Sequence, residues 1–145
     1  MIGRASYATR RRRIAKRCGQ RRGTATVELA VCLPVLALLV FGSIQASDLI
    51  YLKHSVTAAA YEGSLELSKT DSSNANIEAR IQQVLDARGI TSTTYEILPA
   101  GTLIERTPPG TTVTVVVNAD SIPNLMLSGF FYTPATVTGQ VVTVR

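Results

Sequence analysis

The apolar positions fall into three regimes along the chain. From Val27 to Ile44 they are nearly continuous, VELAVCLPVLALLVFGSI, with Glu28 and Cys32 the only ionisable side chains. Counted from Thr24 to Ala46 the stretch has 23 residues, and a helix of ~20 residues spans a bilayer. From Asp48 to Ser68 the apolar and small residues stand three and four apart, at Leu49, Leu52, Val56, Ala59, Gly63 and Leu67. That spacing lays them along one helix face, with Lys53, His54, Glu62 and Glu66 mainly off it. Nothing breaks the chain between the two regimes. One helix from Thr24 to Ser68 is therefore expected, ~65 Å long at ~1.5 Å per residue, with ~30 Å of it in lipid.

Asp71-Ser72-Ser73-Asn74 reads as a turn or helix N-cap. Asn74 to Arg88 follows as a short amphipathic helix carrying Ile77, Ile81, Val84 and Leu85 on one side, with Gly89 as its stop. The third regime is strand-like. Thr94–Leu98, Thr112–Asn118 and Thr136–Val144 are rich in Thr, Val, Tyr and Ile with partial alternation, and Leu103–Arg106 is a candidate for a further short strand. Pro99-Ala100-Gly101 and Pro108-Pro109-Gly110 punctuate them. The apolar segment 122–134, with Leu125, Met126, Leu127, Phe130 and Phe131, could close the core or touch a partner, and core closure is the expectation. The fold class is α+β: a long N-terminal helix, a short helix, and an antiparallel sheet of three to four strands against the outward half of the long helix.

Charge changes the picture. Of the 15 Lys and Arg residues, nine lie in residues 1–23, which hold no Asp or Glu; six then face all 10 acidic residues in the rest. The chain is a basic tail on a mildly acidic body. Such a tail either neutralises nucleic-acid phosphates or marks the cytoplasmic side of a membrane segment. The apolar run directly after it favours the membrane and argues against nucleic acid. The organisation expected is a cytoplasmic leader (1–23), a transmembrane helix (24–46) and an extracytoplasmic domain (47–145). Cys18 and Cys32 say nothing about compartment.

The chemistry sits at the start of the apolar run, in Arg21-Arg22-Gly23-Thr24-Ala25-Thr26-Val27-Glu28. A carboxylate at the bilayer centre costs ~2.5–3.5 kcal/mol on insertion scales, and less near the edge. A cut after Gly23 would remove every arginine of the tail and give Thr24 a cationic α-amino group, with a reference pKa of ~7.7–8.0. Thr24 and Glu28 lie four apart, on one helix face. Helices with an ammonium, a carboxylate and an otherwise apolar surface can pack so that Glu28 of one meets the amine of its neighbour, which sets register. Pairing offsets desolvation only where the geometry is good. The blander reading is Glu28 solvated at the headgroup level. Pro34 is tolerated in membrane helices and marks a kink or local melting. Gly42 with Ala46 forms a small-xxx-small pair that admits a close helix, and Gly63 is small where the sheet would lie close.

These residues carry a resemblance. A basic leader ending in Gly, a Glu as fifth residue after it and an apolar helix resemble precursors cut by prepilin peptidases. RRGTATVELAVCLPVLALLVFGSIQASDLIY is similar to the start of the TadE-like proteins of the tight-adherence pilus. Ala59-Ala60-Tyr61-Glu62-Gly63 stands where that family has a small-rich Ala-Ala-x-Glu-Gly motif, and residues 111–145 resemble its Thr/Val-rich end more loosely. Leu29 departs from the family's usual aromatic after the Glu. The resemblance implies a non-enzymatic pseudopilin or minor pilin in the bacterial inner membrane. Its partners would be other pilin or pseudopilin subunits and a prepilin peptidase cutting between Gly23 and Thr24.

Nothing in the sequence suggests an enzyme, a cofactor, a metal or a small-molecule substrate. His54, the single histidine, stands beside Lys53 on a helix. No spaced His/Cys/carboxylate cluster suggests a metal site, and no glycine-rich phosphate loop appears. Two other readings stand beside the pilin one. An anchor that is never processed would present the C-terminal domain to a partner. Alternatively, Arg11-Arg12-Arg13-Ile14-Ala15-Lys16 partly matches a twin-arginine signal, and residues 1–46 would then be removed on export.

Overall fold

The computed structural model describes residues 21–101, 103–127 and 131–145, with side chains from Gly23 onward. The leader through residue 20, with its partial twin-arginine match and Cys18, lies outside the described residues, as does Phe130. The chain forms two compact units, one through Leu39 and one from Val40 to Arg145.

Helix α1 runs from Arg21 to Leu67 and contains Pro34 without ending there. Pro34 supplies no N–H, so the carbonyl of Ala30 loses its usual intrahelical donor. No local melting accompanies it: the helical assignment is unbroken through this turn. Within the first unit, every large apolar side chain from Val27 to Leu39 is 52–68% exposed. That part of α1 is apolar nearly all round and is covered by no other described residue, the pattern of a membrane span and not of a one-sided surface helix.

The second unit begins with the amphipathic part of α1. Leu52, Val56, Ala59, Ala60 and Leu67 are fully buried, in agreement with the stripe read from spacing. Serines on this helix satisfy their hydroxyls locally: Ser55 Oγ donates to the Tyr51 carbonyl at 2.8 Å and Ser64 Oγ to Tyr61 at 2.7 Å. After Leu67 the chain turns, with Lys69 N donating to Glu66 O and Ser72 N to Lys69 O.

Helix α2 spans Asn74–Ala87. Ser73 is its N-cap, extended in backbone, with Oγ accepting from Asn76 N at 3.2 Å. One of the unsatisfied first-turn donors is thus satisfied. At the other end Gly89 takes φ +68°; its N–H reaches Asp86 O while Ile90 N–H reaches Leu85 O. That is the Schellman arrangement, and Ile90 and Leu85 both enter the core.

Strands β1 (Thr93–Leu98), β2 (Thr112–Asp120) and β3 (Thr136–Val144) pair antiparallel in the order β1-β2-β3. Val113, Val115, Val117 and Ala119 alternate inward along β2, as a half-buried strand requires. The architecture is α+β with three strands. The further strand considered at Leu103–Arg106 is absent: Ile104–Arg106 is a single 3-10 turn. Ile104 is fully buried there, its N–H bonded to the Asn74 side chain at 3.1 Å. One apolar anchor, not alternation, fixes this segment.

The segment between β2 and β3 departs from the expectation of core closure. Leu125 is buried, but Met126 and Tyr132 face outward and Phe131 is partly exposed. The base of the segment is fixed by polar groups. Ser121 N donates to Ala135 O at 2.9 Å, and Asn124 clasps Thr91 through both its N–H and its carbonyl.

Candidate functional site

Three places carry the residues of interest. At the first, Gly23, Thr24 and Glu28 lie on the opening turns of α1. A Cβ on Gly23 would meet nothing within 4 Å, so no packing requirement explains the glycine. Thr24 and Glu28 are both exposed, four residues apart on one continuous helix. Cys32 is exposed on the same helix.

The second place is where α2 crosses α1, and the Ala59–Gly63 motif occupies it. Ala59 and Ala60 are fully buried. Glu62 Oε2 accepts from Arg80 Nε at 3.1 Å and from its terminal nitrogen at 2.6 Å. A Cβ on Gly63 would stand 2.8 Å from Ile81 Cγ1, 2.9 Å from Ile81 Cδ1 and 3.5 Å from Val115. Two consecutive residues of α1 thus grip two consecutive residues of α2. The sheet contributes the third contact. The cleft between the helices here, lined by Glu62, Glu66, Lys69, Arg80 and Gln83, is open, and its ions pair among themselves as Lys69–Glu66 and Arg80–Glu62. No group of metal-ligating side chains occurs among the described residues, and His54 is exposed.

Sequence reasoning did not single out Gly139. It lies on β3 opposite Val117, and a Cβ there would stand 2.6 Å from Val56 C and Thr57 N and 2.7 Å from Val56 O. The strand backbone rests on the helix backbone at this point. Lys53 Nζ reinforces the contact by donating to the Thr138 carbonyl. A glycine within a β-branched run was the available signal, since such a glycine often marks close backbone approach.

The third place lies just beyond, at Gly42, Gln45 and Asp48. Gly42 receives the Phe131 ring, whose Cε2 would be 3.6 Å from an added Cβ. Gln45 Nε2 donates to the Phe131 carbonyl at 3.3 Å, and Asp48 Oδ2 accepts from Met126 N at 3.2 Å. Ala46, the other half of the small pair, is exposed.

The chemistry of these places is packing and pairing: small residues at crossings, one charged clasp, and a long uncovered apolar helix that starts beside a carboxylate. Residues 23–65 match the model of the family described as TadE-like protein. The match bears out the resemblance to the TadE-like family read from the same residues. The TadE-like segment lies wholly within α1 and takes in Gly23, Glu28, the apolar run and the Ala59–Gly63 motif. Among the described residues, one helix, Gly23–Leu67, is long and apolar enough to cross a membrane. No curated protein and no solved structure matches the chain.

Proposed function

We propose that this chain is a membrane-anchored pseudopilin or minor pilin that assists assembly of a tight-adherence pilus. The TadE-like family points to tight-adherence pilus systems. The observation that carries the finer reading is the apolar stretch of α1 within the TadE-like segment, covered by no other described residue and opening beside Glu28. Residues 1–23 form a cytoplasmic leader, 24–46 cross the inner membrane and 47–145 stand outside it. A prepilin peptidase cuts between Gly23 and Thr24, and the exposed side of Gly23 suits a backbone that must enter an enzyme. The α-amino group of Thr24 on one subunit then meets Glu28 of its neighbour, and Pro34 and Ala46 lie on the surfaces that pack. The role is architectural and involves no reaction on a substrate.

Leu29, where the family has an aromatic, favours a second reading in which the leader stays and the chain acts as an unprocessed anchor. The intact mass and N-terminal residue of protein from native membranes decide: a start at Thr24 supports the pilin reading, and a retained leader supports the anchor. Glu28→Ala then tests the register role. It should insert fully, because losing a charge only lowers the insertion cost, yet fail to join the assembly. Normal assembly of that variant would remove Glu28 from the mechanism.

A further inference from the structure

The segment joining β2 to β3 turns apolar side chains outward at the place where the apolar run of α1 ends. Met126 is 88% exposed and Tyr132 95%, with Phe131 partly exposed beside them. Clustered exposure of this kind marks an interaction surface, whereas single exposed apolar residues are ordinary. Residues 121–135 contain no Asp, Glu, Lys or Arg, so nothing in the sequence of this segment opposes a low-dielectric neighbour.

Its described residues Met126 and Phe131 are also held in position. Their ties to α1 fall on Gly42, Gln45 and Asp48, three residues apart and so along one helix face. From first to last they are six residue steps apart, about 9 Å of helix axis. Phe41 and Ile44, the last large apolar residues of the run, are exposed beside these ties. The headgroup zone adds roughly 5–8 Å on each side of the hydrocarbon, comparable with the height the ties cover. Tyrosine, with an apolar ring and a polar tip, is enriched at that depth.

We propose that Met126, Phe131 and Tyr132 seat in the headgroup region of the same bilayer that α1 crosses and so dock the head on lipid. The inference rests on the reading of α1 as a membrane span. Lipid is the occupant because the patch continues the apolar surface of α1 through Phe41 and Ile44, and because it carries no charge with which to select a protein partner. The docking fixes the tilt of the head against the membrane before any assembly.

The chain contains no tryptophan, so a single introduced Trp reports its own depth. The full chain is reconstituted into phosphatidylcholine–phosphatidylglycerol vesicles whose lipids are brominated either high or low on the acyl chains. Three variants are compared: Tyr132→Trp, Leu36→Trp within the span, and Tyr61→Trp on the far part of α1. Leu36→Trp should lose most fluorescence to the deep bromines. Tyr132→Trp should emit to the blue of a water-exposed indole and lose more fluorescence to shallow bromines than to deep ones; Tyr61→Trp should lose none. Met126→Trp repeats the test one tie away. A quenched Leu36→Trp with unquenched Tyr132→Trp and Met126→Trp overturns the docking while leaving the span intact. An unquenched Leu36→Trp overturns the span and the docking with it. Blue-shifted but unquenched emission at Tyr132→Trp that grows with protein density overturns lipid in favour of a second copy.

Discussion

The backbone of β3 at Gly139 rests on the backbone of α1 at Val56, so close that a Cβ on the glycine would stand 2.6 Å from the Val56 carbonyl carbon. Both neighbours are main chain and neither can rotate away. Gly139→Ala must push strand and helix apart, and overpacking of this kind costs about 1–3 kcal/mol. Thermal melting of the full chain in micelles, followed by circular dichroism, should show a clearly lowered midpoint.

Gly63 is equally tight but its neighbours differ. They are the Cγ1 and Cδ1 of Ile81, the outer atoms of a side chain that has other rotamers. Alanine also gains roughly 1 kcal/mol of helix propensity over glycine. Gly63→Ala should therefore lose less stability than Gly139→Ala in the same melt. The reverse order would mean that the α1–α2 crossing, and not the strand–helix contact, sets the spacing of the head.

This contrast explains what the sequence disclosed. The stripe Leu52, Val56, Ala59 and Leu67 and the alternation Val113, Val115, Val117 were readable because each follows from a period within one element. The grip at Ala59–Gly63 was half readable: its small residues announced a close neighbour, but the neighbour was expected to be the sheet and is mainly Ile81 of α2. Gly139 was readable at most as a close backbone approach, because the helix it meets lies in a segment more than eighty residues away. Ile104 resembled the start of a strand because one buried isoleucine looks the same in a strand and in a 3-10 turn. The outward turn of Met126 and Tyr132 followed the less favoured of two readings, since apolar composition alone does not separate a core from an interaction surface. Gly23, Thr24 and Glu28 were named from sequence, and their geometry adds only that all three are accessible.

Ser73 caps α2 through its hydroxyl. Ser73→Ala should cost about 0.5–2 kcal/mol, while Ser73→Asp should retain most of the stability by supplying another acceptor. Chemical denaturation with far-ultraviolet detection distinguishes them.

The Glu62–Arg80 clasp joins the two helices from partly exposed positions. Glu62→Gln should cost no more than about 1 kcal/mol, since exposed pairs are screened. The difference from the parent should shrink further in high salt. A loss well beyond that range, insensitive to salt, would show that Glu62 is held by more than Arg80.

Tyr95 offers a pH-dependent readout. Its hydroxyl bonds to Glu78, and this bond, partial burial and the charge of that carboxylate all raise the tyrosine above its ordinary value of 10.0. A proton is thus bound more tightly in the folded state. The contribution to stability is complete below the ordinary tyrosine value and is lost as pH rises through the raised one. Glu78→Gln should move the Tyr95 titration back down toward 10.0, read as tyrosinate absorbance against a Tyr95→Phe reference. An unchanged midpoint would assign the shift to burial alone.

Leu52, Val56, Ala59 and Ala60 belong at once to the TadE-like segment and to the core of the head. An anchor joined by a linker can be exchanged for another without disturbing what it carries. Here the helix is a wall of the domain, so a substitution on its inward face is answered across the sheet and α2. Grafting this head onto a foreign membrane helix would succeed only if the graft point preceded Leu49, leaving the wall behind. The head and its half of the helix must therefore change together.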